Sequence, residues 1–116
     1  MKYWIADLNE SNGEFDYTTI IRFTADTREN ADKIHLFHVG TWYGEDHMKW
    51  NSDDDSYWNE YVSVCEGRLT EIDKNTFETL GVHGSLPDMS PKNFKAVEAW
   101  YERHRDNLLS SIKGVR

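Results

Sequence analysis

The stretch EFDYTTIIRFTA, residues 14–25, decides how this chain is expected to fold. Its side chains alternate, with Phe15, Tyr17, Thr19, Ile21 and Phe23 on one side of an extended chain and Asp16, Thr18 and Arg22 on the other. Period-two alternation rich in β-branched and aromatic residues predicts a strand. The run KYWIADL at 2–8 has the same character, and turn-forming residues 9–13 separate the two. The sequence therefore predicts an N-terminal β-hairpin.

A helix is predicted after the hairpin. Asp26 is the expected N-cap, with Glu29 at the third helical position. The helix would end near Gly44 and carry an apolar stripe of Ala31, Ile34, Phe37 or His38, and Trp42. The segment IHLFHV at 34–39 would also suit a strand, so both interpretations stay open.

The second half of the chain predicts strands followed by two helices. Residues 56–72 are rich in β-branched and aromatic side chains, with Gly67 as a turn or bulge. Asp73 is expected to cap a short helix that Gly81 ends. Ser90 and Pro91 are expected to begin the last helix, at about 91–112, with an apolar stripe of Phe94, Val97, Trp100 or Tyr101, His104, Leu108 and Ile112.

These elements give the order β-β-α-β-β-α-α. The sequence thus predicts one α+β domain spanning residues 1–116, in which two or three helices pack on one face of an antiparallel sheet of about four strands. A length of 116 residues suits a single core.

The charge pattern limits the classes of partner. The net charge is −8, which disfavours direct binding of nucleic acid, because phosphate contacts need clustered Lys and Arg. Residues 1–90 carry a balance of −11 and residues 91–116 a balance of +3. An acidic body suits a protein partner with a basic surface.

The cysteine content and the absence of a long apolar run predict a cytoplasmic protein. The single Cys65 excludes an internal disulfide and a cysteine zinc cage, and no apolar run is long enough to suggest a membrane span or signal peptide. We expect Cys65 to be a half-buried structural residue whose pKa the neighbouring Glu66 raises. If a phage encodes the chain, its expected location is the host cytoplasm.

The stretch WYGEDHMKWNSDDDSYW, residues 42–58, holds the candidate binding residues. It is not an EF-hand loop: with Asn51 at position 1, Ser56 stands where Gly is needed and Val62 where Glu is needed. His35, His38 and His47 form a weaker candidate set of ligands for a divalent metal. Signatures of nucleophilic catalysis and of phosphate binding are absent from the sequence, so the chain is not expected to be an enzyme and no cofactor is expected.

The acidic aromatic stretch is instead expected to bind a protein. Aspartates would provide electrostatic complementarity and aromatic rings would anchor the contact. The expected partner-binding residues are Glu45, Asp46, Trp50, Asp53, Asp54, Asp55, Tyr57 and Trp58, with Trp50 the most exposed of the aromatic ones. A solvated loop whose outer aromatics belong to the core is the alternative interpretation.

Three segments loosely resemble parts of small acidic α+β proteins of phages and mobile elements, namely Ile21–Thr27, Trp42–Asp46 and Glu71–Leu80. Some such proteins are anti-CRISPR or anti-restriction inhibitors that bind host nuclease complexes through surface contacts. The resemblance implies an inhibitor that blocks a basic surface of a nucleic-acid-handling complex. Because such inhibitors share no functional motif, it assigns no role to individual residues of this chain. A small metal- or ligand-binding protein and a homo-oligomeric accessory protein remain the alternatives.

Overall fold

The computed structural model describes residues 1–44, 49–51 and 56–114, including all of their side chains except those of Asn51 and residues 106–114. Within these residues the elements in chain order are β1 (Lys2–Ser11), β2 (Asp16–Ala25), α1 (Arg28–Thr41), β3 (Lys49–Asn51), β4 (Ser56–Trp58), β5 (Ser63–Ile72), α2 (Lys74–Val82) and α3 (Phe94–Gly114). Residues 34–39 are helical, which resolves the ambiguity left by the sequence.

The strands form one sheet in the order β2-β1-β5-β4-β3, and all neighbours are antiparallel. The predicted α+β class with an antiparallel sheet is confirmed. The sheet has five described strands rather than about four, because Lys49–Asn51 pairs with Ser56–Trp58. That strand lies within the stretch that the sequence predicted as a loop.

The N-terminal hairpin is confirmed, with two ten-residue strands in continuous register from Lys2↔Ala25 to Ser11↔Asp16. Alternate residues of the sheet are buried on its first face, and these are Trp4, Ala6, Leu8, Ile21, Phe23, Tyr57 and Val64. Their burial is the main stabilisation of the domain, at about 1.5–3 kcal/mol for each large apolar side chain.

Helices α1 and α3 cover this first face. The α1 side chains Ala31, Ile34 and Val39 join the core, and Phe37 packs edge-on against Trp100 of α3. Helix α2 packs elsewhere: its Phe77 contacts Tyr3, which points away from the buried Trp4 beside it in the strand. The prediction that the helices pack on one face therefore holds for α1 and α3, while α2 lies on the second face.

The structure corrects the N-terminus of two helices. Thr27, not Asp26, caps α1, because its side chain accepts a hydrogen bond from the Asn30 backbone N–H. Helix α3 begins at Phe94 rather than at Pro91, and the Asn93 side chain accepts a hydrogen bond from Lys95 N. The predicted cap Ser90 instead accepts a hydrogen bond from Thr24 N and so joins the chain to β2. The Asp73 cap of α2 is confirmed.

A β-bulge, one of the two features that Gly67 predicted, interrupts the pairing of β1 with β5. The register shifts between Ala6 and Leu8, so that Gly67 and Arg68 lie opposite Asp7. A Cβ atom on Gly67 would lie 2.6 Å from Asp7 Cβ, which is closer than carbon atoms can approach. Glycine is needed here for close approach of the two strands.

The segment 86–90 covers half of the outer edge of β2. Arg22 N donates to Pro87 O at 3.2 Å, and Arg22 O accepts from Met89 N at 2.7 Å. The Arg22 side chain holds the same segment through a 2.8 Å hydrogen bond from Nε to Leu86 O.

Among the described residues, no helix is both long and apolar enough to cross a membrane.

Candidate functional site

The predicted binding stretch is only partly described. Glu45, Asp46, Asp53, Asp54 and Asp55, together with His47, lie outside the described residues. The described part consists of residues 42–44 and of the strands β3 and β4, and the two strands hold the three aromatic candidates Trp50, Tyr57 and Trp58.

Tyr57 is a core residue, and its predicted role in partner binding is wrong. The side chain is fully buried, and the centroid of its ring lies 5.2 Å from that of Trp50 and 6.1 Å from that of Trp100. It therefore has no surface to offer a partner. Burial raises its pKa well above the ordinary value, which keeps the hydroxyl protonated.

Trp50 is half-buried against the core, so the expectation that it is the most exposed aromatic is also wrong. Trp58 is exposed instead, at 42%. The reason is strand alternation, since Trp58 follows the buried Tyr57 and must point to the second face.

Aromatic and acidic side chains lie at the end of the sheet where the β1–β2 and β4–β5 turns are neighbours, with Trp58 on the second face and the Tyr43–Glu10 pair on the first. We call this set the acidic aromatic end, and it consists of Glu10, Glu14, Tyr43, Trp58, Glu60 and Tyr61. A shallow depression here is lined by residues 11–13 of one turn and residues 58–63 of the other. Tyr61 is 79% exposed, the same value as the terminal Met1 and higher than that of any other large apolar side chain described.

The turn that presents Tyr61 is built by Asn59. Its side-chain oxygen accepts hydrogen bonds from Tyr61 N and Val62 N, and Asn59 N donates to Val62 O. This is an Asx turn, which asparagine forms readily. Asn59 was the available sequence signal, but the turn or bulge predicted within residues 56–72 is at Gly67.

Tyr43 is held at the same end by Glu10. The Tyr43 hydroxyl donates a short hydrogen bond to the Glu10 carboxylate. This bond raises the pKa of Tyr43 to about 12, since the proton is shared with a negative group. The two residues are 33 positions apart, and no sequence pattern pairs them.

The charge around this end is mainly negative, although the exposed Lys49 lies opposite Trp58 in the pairing of β3 with β4. The sequence holds no Lys or Arg between Tyr3 and Ile21 or between Ser56 and Gly67, whereas both spans contribute acids. A negative surface with exposed rings attracts basic side chains and can also stack with them.

A second cluster joins α1 to the bulge. His35 is buried, and its Nε2 lies 2.7 Å from the Asp7 carbonyl oxygen. Because a carbonyl can only accept, Nε2 carries the proton and the neutral ring turns an unprotonated Nδ1 to Glu66, 3.5 Å away. A protonated Glu66 can donate to that nitrogen.

Burial favours the uncharged form of both partners. It lowers the pKa of His35, although the hydrogen bond to Asp7 opposes the shift. It raises the pKa of Glu66 to about 7, and repulsion from Asp32 adds to the effect. The Glu66 side chain is 42% exposed overall, and its Oε2 atom is the one that lies against His35 of α1.

His35 and His38 do not converge on one site. His38 Nε2 lies 2.8 Å from the Met89 carbonyl oxygen, whereas His35 reaches Asp7 on β1. Each therefore donates from one ring nitrogen to a different backbone carbonyl. In the described part of the chain, no three His, Cys, Asp or Glu side chains are grouped as metal ligands.

Cys65 has the predicted character. It is half-buried in β5, and burial, followed by repulsion from Glu66, raises the pKa of its thiol. A raised thiol pKa lowers the population of the nucleophilic thiolate.

Comparison of the chain with protein-family models, with curated proteins and with solved structures gave no match in any of the three. The comparisons therefore assign no family to this chain.

Proposed function

We propose that this chain is a non-enzymatic protein-binding module that uses the acidic aromatic end to bind a basic surface of another protein. The observation that carries the proposal is the exposure of Trp58 and Tyr61 beside Glu60 and next to the turn that holds Glu14, while the Tyr43–Glu10 pair lies at the same end on the other face.

The two kinds of side chain have separate roles in this binding. Tyr and Trp rings bury a large area on contact and lose little conformational entropy, which is why they dominate interface energetics. Carboxylates around them steer a basic partner toward the site and set its orientation. Trp58 and Tyr61 are the proposed anchors, and the three glutamates provide the charge.

The proposed partner is a nucleic-acid-handling protein, because such proteins carry clustered Lys and Arg for phosphate contacts. The chain would then act as an inhibitor of the phage type, similar in action to anti-CRISPR proteins, by occupying that basic surface. Glu45, Asp46 and Asp53–Asp55 would extend the negative surface, as the sequence predicts.

The test measures binding of purified CRISPR effector complexes and restriction nucleases to the immobilised chain by biolayer interferometry. We expect at least one to bind, to bind more weakly as salt rises, and to lose binding when its own DNA substrate is added. Joint replacement of Trp58 and Tyr61 by Ala should weaken binding at least about a hundredfold, as expected for two anchors of about 1.4 kcal/mol or more each. Asp53–Asp55→Ser should weaken it mainly through a slower association rate.

The matched control removes three charges elsewhere. Glu29, Glu78 and Glu98 are exposed helical residues outside the acidic aromatic end, and their joint replacement by Gln changes the net charge as much as Asp53–Asp55→Ser does. We expect this control to bind almost as the parent chain does. If none of these complexes binds, or if both triple variants behave alike, the proposal is wrong.

A further inference from the structure

We propose that a second copy of this chain binds along the outer edge of β2 from Asp16 to Ile20, giving a two-fold symmetric dimer in which the two sheets become continuous. This proposal concerns a surface other than the acidic aromatic end and does not depend on it. We call the Asp16–Ile20 segment the free edge.

The direction of the backbone groups follows from Arg22. Both its N–H and its C=O bond to residues 86–90, so they point away from β1. In an antiparallel strand, every second residue directs its backbone groups to the same side. The N–H and C=O groups of Ile20, Thr18 and Asp16 therefore also point outward, and within the described residues β2 pairs with β1 alone along this part.

The fold covers only half of this edge. Segment 86–90 bonds to Arg22 and Thr24 of β2. On its N-terminal side the chain leaves the β2 edge toward α2, where Leu86 N donates to Leu80 O. No other described segment covers residues 16–20, and Phe15, Tyr17 and Ile20 are exposed beside them. An uncovered edge with apolar side chains is a template for strand addition.

Segment 86–90 restricts which strand can pair with the free edge. A strand that pairs with residues 16–20 meets this segment at the Arg22 end, so it must stop or turn away there. The β2 strand of a second copy does so. With the two-fold axis at Thr18, Asp16 of the copy lies opposite Ile20, and just beyond it the copy turns away through residues 12–15.

Side chains are also compatible in this register. Thr18 faces Thr18 of the copy, and Tyr17 faces Thr19, which are favourable cross-strand pairs. The two Asp16 carboxylates lie at opposite ends of the paired segment, about 14 Å apart at roughly 3.4 Å per residue. This separation exceeds the screening length of about 8 Å at physiological salt, so direct repulsion at the pairing is weak.

The overall charge of −8 on each copy still opposes association at low salt. Self-association should therefore strengthen as salt rises, which is the opposite of the dependence expected for a basic partner at the acidic aromatic end. The two proposals can consequently fail independently.

The test combines sedimentation velocity over a range of protein concentrations with amide hydrogen exchange. We expect a dimer whose dissociation constant falls with salt, and slower exchange of the Thr18 amide as protein concentration increases. Thr18→Pro removes an outward donor without breaking a backbone bond to β1 and should raise the dissociation constant at least about tenfold, from the loss of two hydrogen bonds across the axis.

Thr18→Val is the matched control. It removes the hydroxyl, which donates to Asn9 Oδ1 at 3.0 Å, but keeps the backbone N–H. We expect this variant to dimerise as the parent chain does. Ile20→Glu is a second disrupting variant that changes no backbone group, in case Thr18→Pro impairs folding, because it places a carboxylate directly opposite Asp16 of the copy.

A monomer at all concentrations up to the millimolar range overturns the proposal. So does a dimer in which the Thr18 amide exchanges as fast as in the monomer, because the copies then meet elsewhere. Protection of Thr18 that appears only on adding a basic protein would assign the free edge to a different occupant.

Discussion

Burial beneath α1 favours the uncharged forms of two single residues, His35 and Glu66. His35 donates to the Asp7 carbonyl where the bulge interrupts the ladder, and this fixes which ring nitrogen faces Glu66. Glu66 pairs with Leu8 across the sheet and so lies on the first face, where the carboxyl is partly withdrawn from water. The pair therefore favours an acid and a base that are both uncharged.

This arrangement predicts how Glu66 affects stability. Its pKa rises from 4.5 to about 7 in the folded state, so the folded chain holds this proton more tightly than the unfolded chain does. The associated stability is present below pH 4.5 and is lost as pH rises toward 7. Glu66→Gln keeps the shape but does not titrate, and its stability relative to the parent chain should increase over that window and then level off. Urea unfolding at constant ionic strength measures the difference, and a difference that does not change with pH contradicts the prediction.

At the scale of elements, α1 shows how the start of a helix is chosen. Both Asp26 and Thr27 are good capping residues, and the sequence favoured Asp26 because Glu29 would complete a capping box. In the structure the Asp26 carboxylate bonds to the Asn30 side chain at 2.6 Å, while Thr27 Oγ1 bonds to the Asn30 backbone N–H at 3.1 Å. The helix therefore begins one residue later than the box would place it.

We expect Thr27→Ala to destabilise the domain by about 1 kcal/mol, because the Asn30 N–H loses its acceptor. Asp26→Ala should cost less, since it removes only an exposed bond between two side chains. Thermal or urea unfolding of the two variants compares them directly. A larger loss for Asp26→Ala would show that Asp26, not Thr27, is the energetically important cap.

At the scale of the whole molecule, Tyr57 connects the short strands to both covering helices. Its ring lies against Trp50 of β3 and against Trp100 and His104 of α3. Gly40 of α1 permits this packing, since a Cβ there would lie 2.5 Å from the Trp100 ring. The hairpin of β3 and β4 is thus attached to the core through this aromatic cluster as well as through the pairing of β4 with β5.

Tyr57→Ala should destabilise the chain by about 3–5 kcal/mol, because it leaves a cavity among these rings. Tyr57→Phe keeps the ring and loses only the hydroxyl, which lies 3.4 Å from His104 Nδ1, so we expect a loss of about 1 kcal/mol or less. Both are measured by equilibrium unfolding. A small effect of Tyr57→Ala would mean that Tyr57 does not support the core and would reopen its assignment to the binding surface.

The sequence by itself determined those features that depend on neighbouring residues. The hairpin follows from alternation along 14–25, the α2 cap from Asp73, and the bulge from Gly67, and each was predicted correctly because its cause is local. The same holds for the half-buried Cys65 in its strand.

Only the tertiary structure decided which aromatic residues are exposed. Trp50, Tyr57 and Trp58 are all aromatic residues of the same acidic stretch. Trp50 is half-buried, Tyr57 is buried and Trp58 is exposed, because α3 passes over one face of β4 and not the other. It also brought Tyr43 to Glu10 and Ser90 to Thr24. Burial and long-range hydrogen bonds depend on which elements pack together, and that arrangement is a property of the whole chain rather than of any local segment.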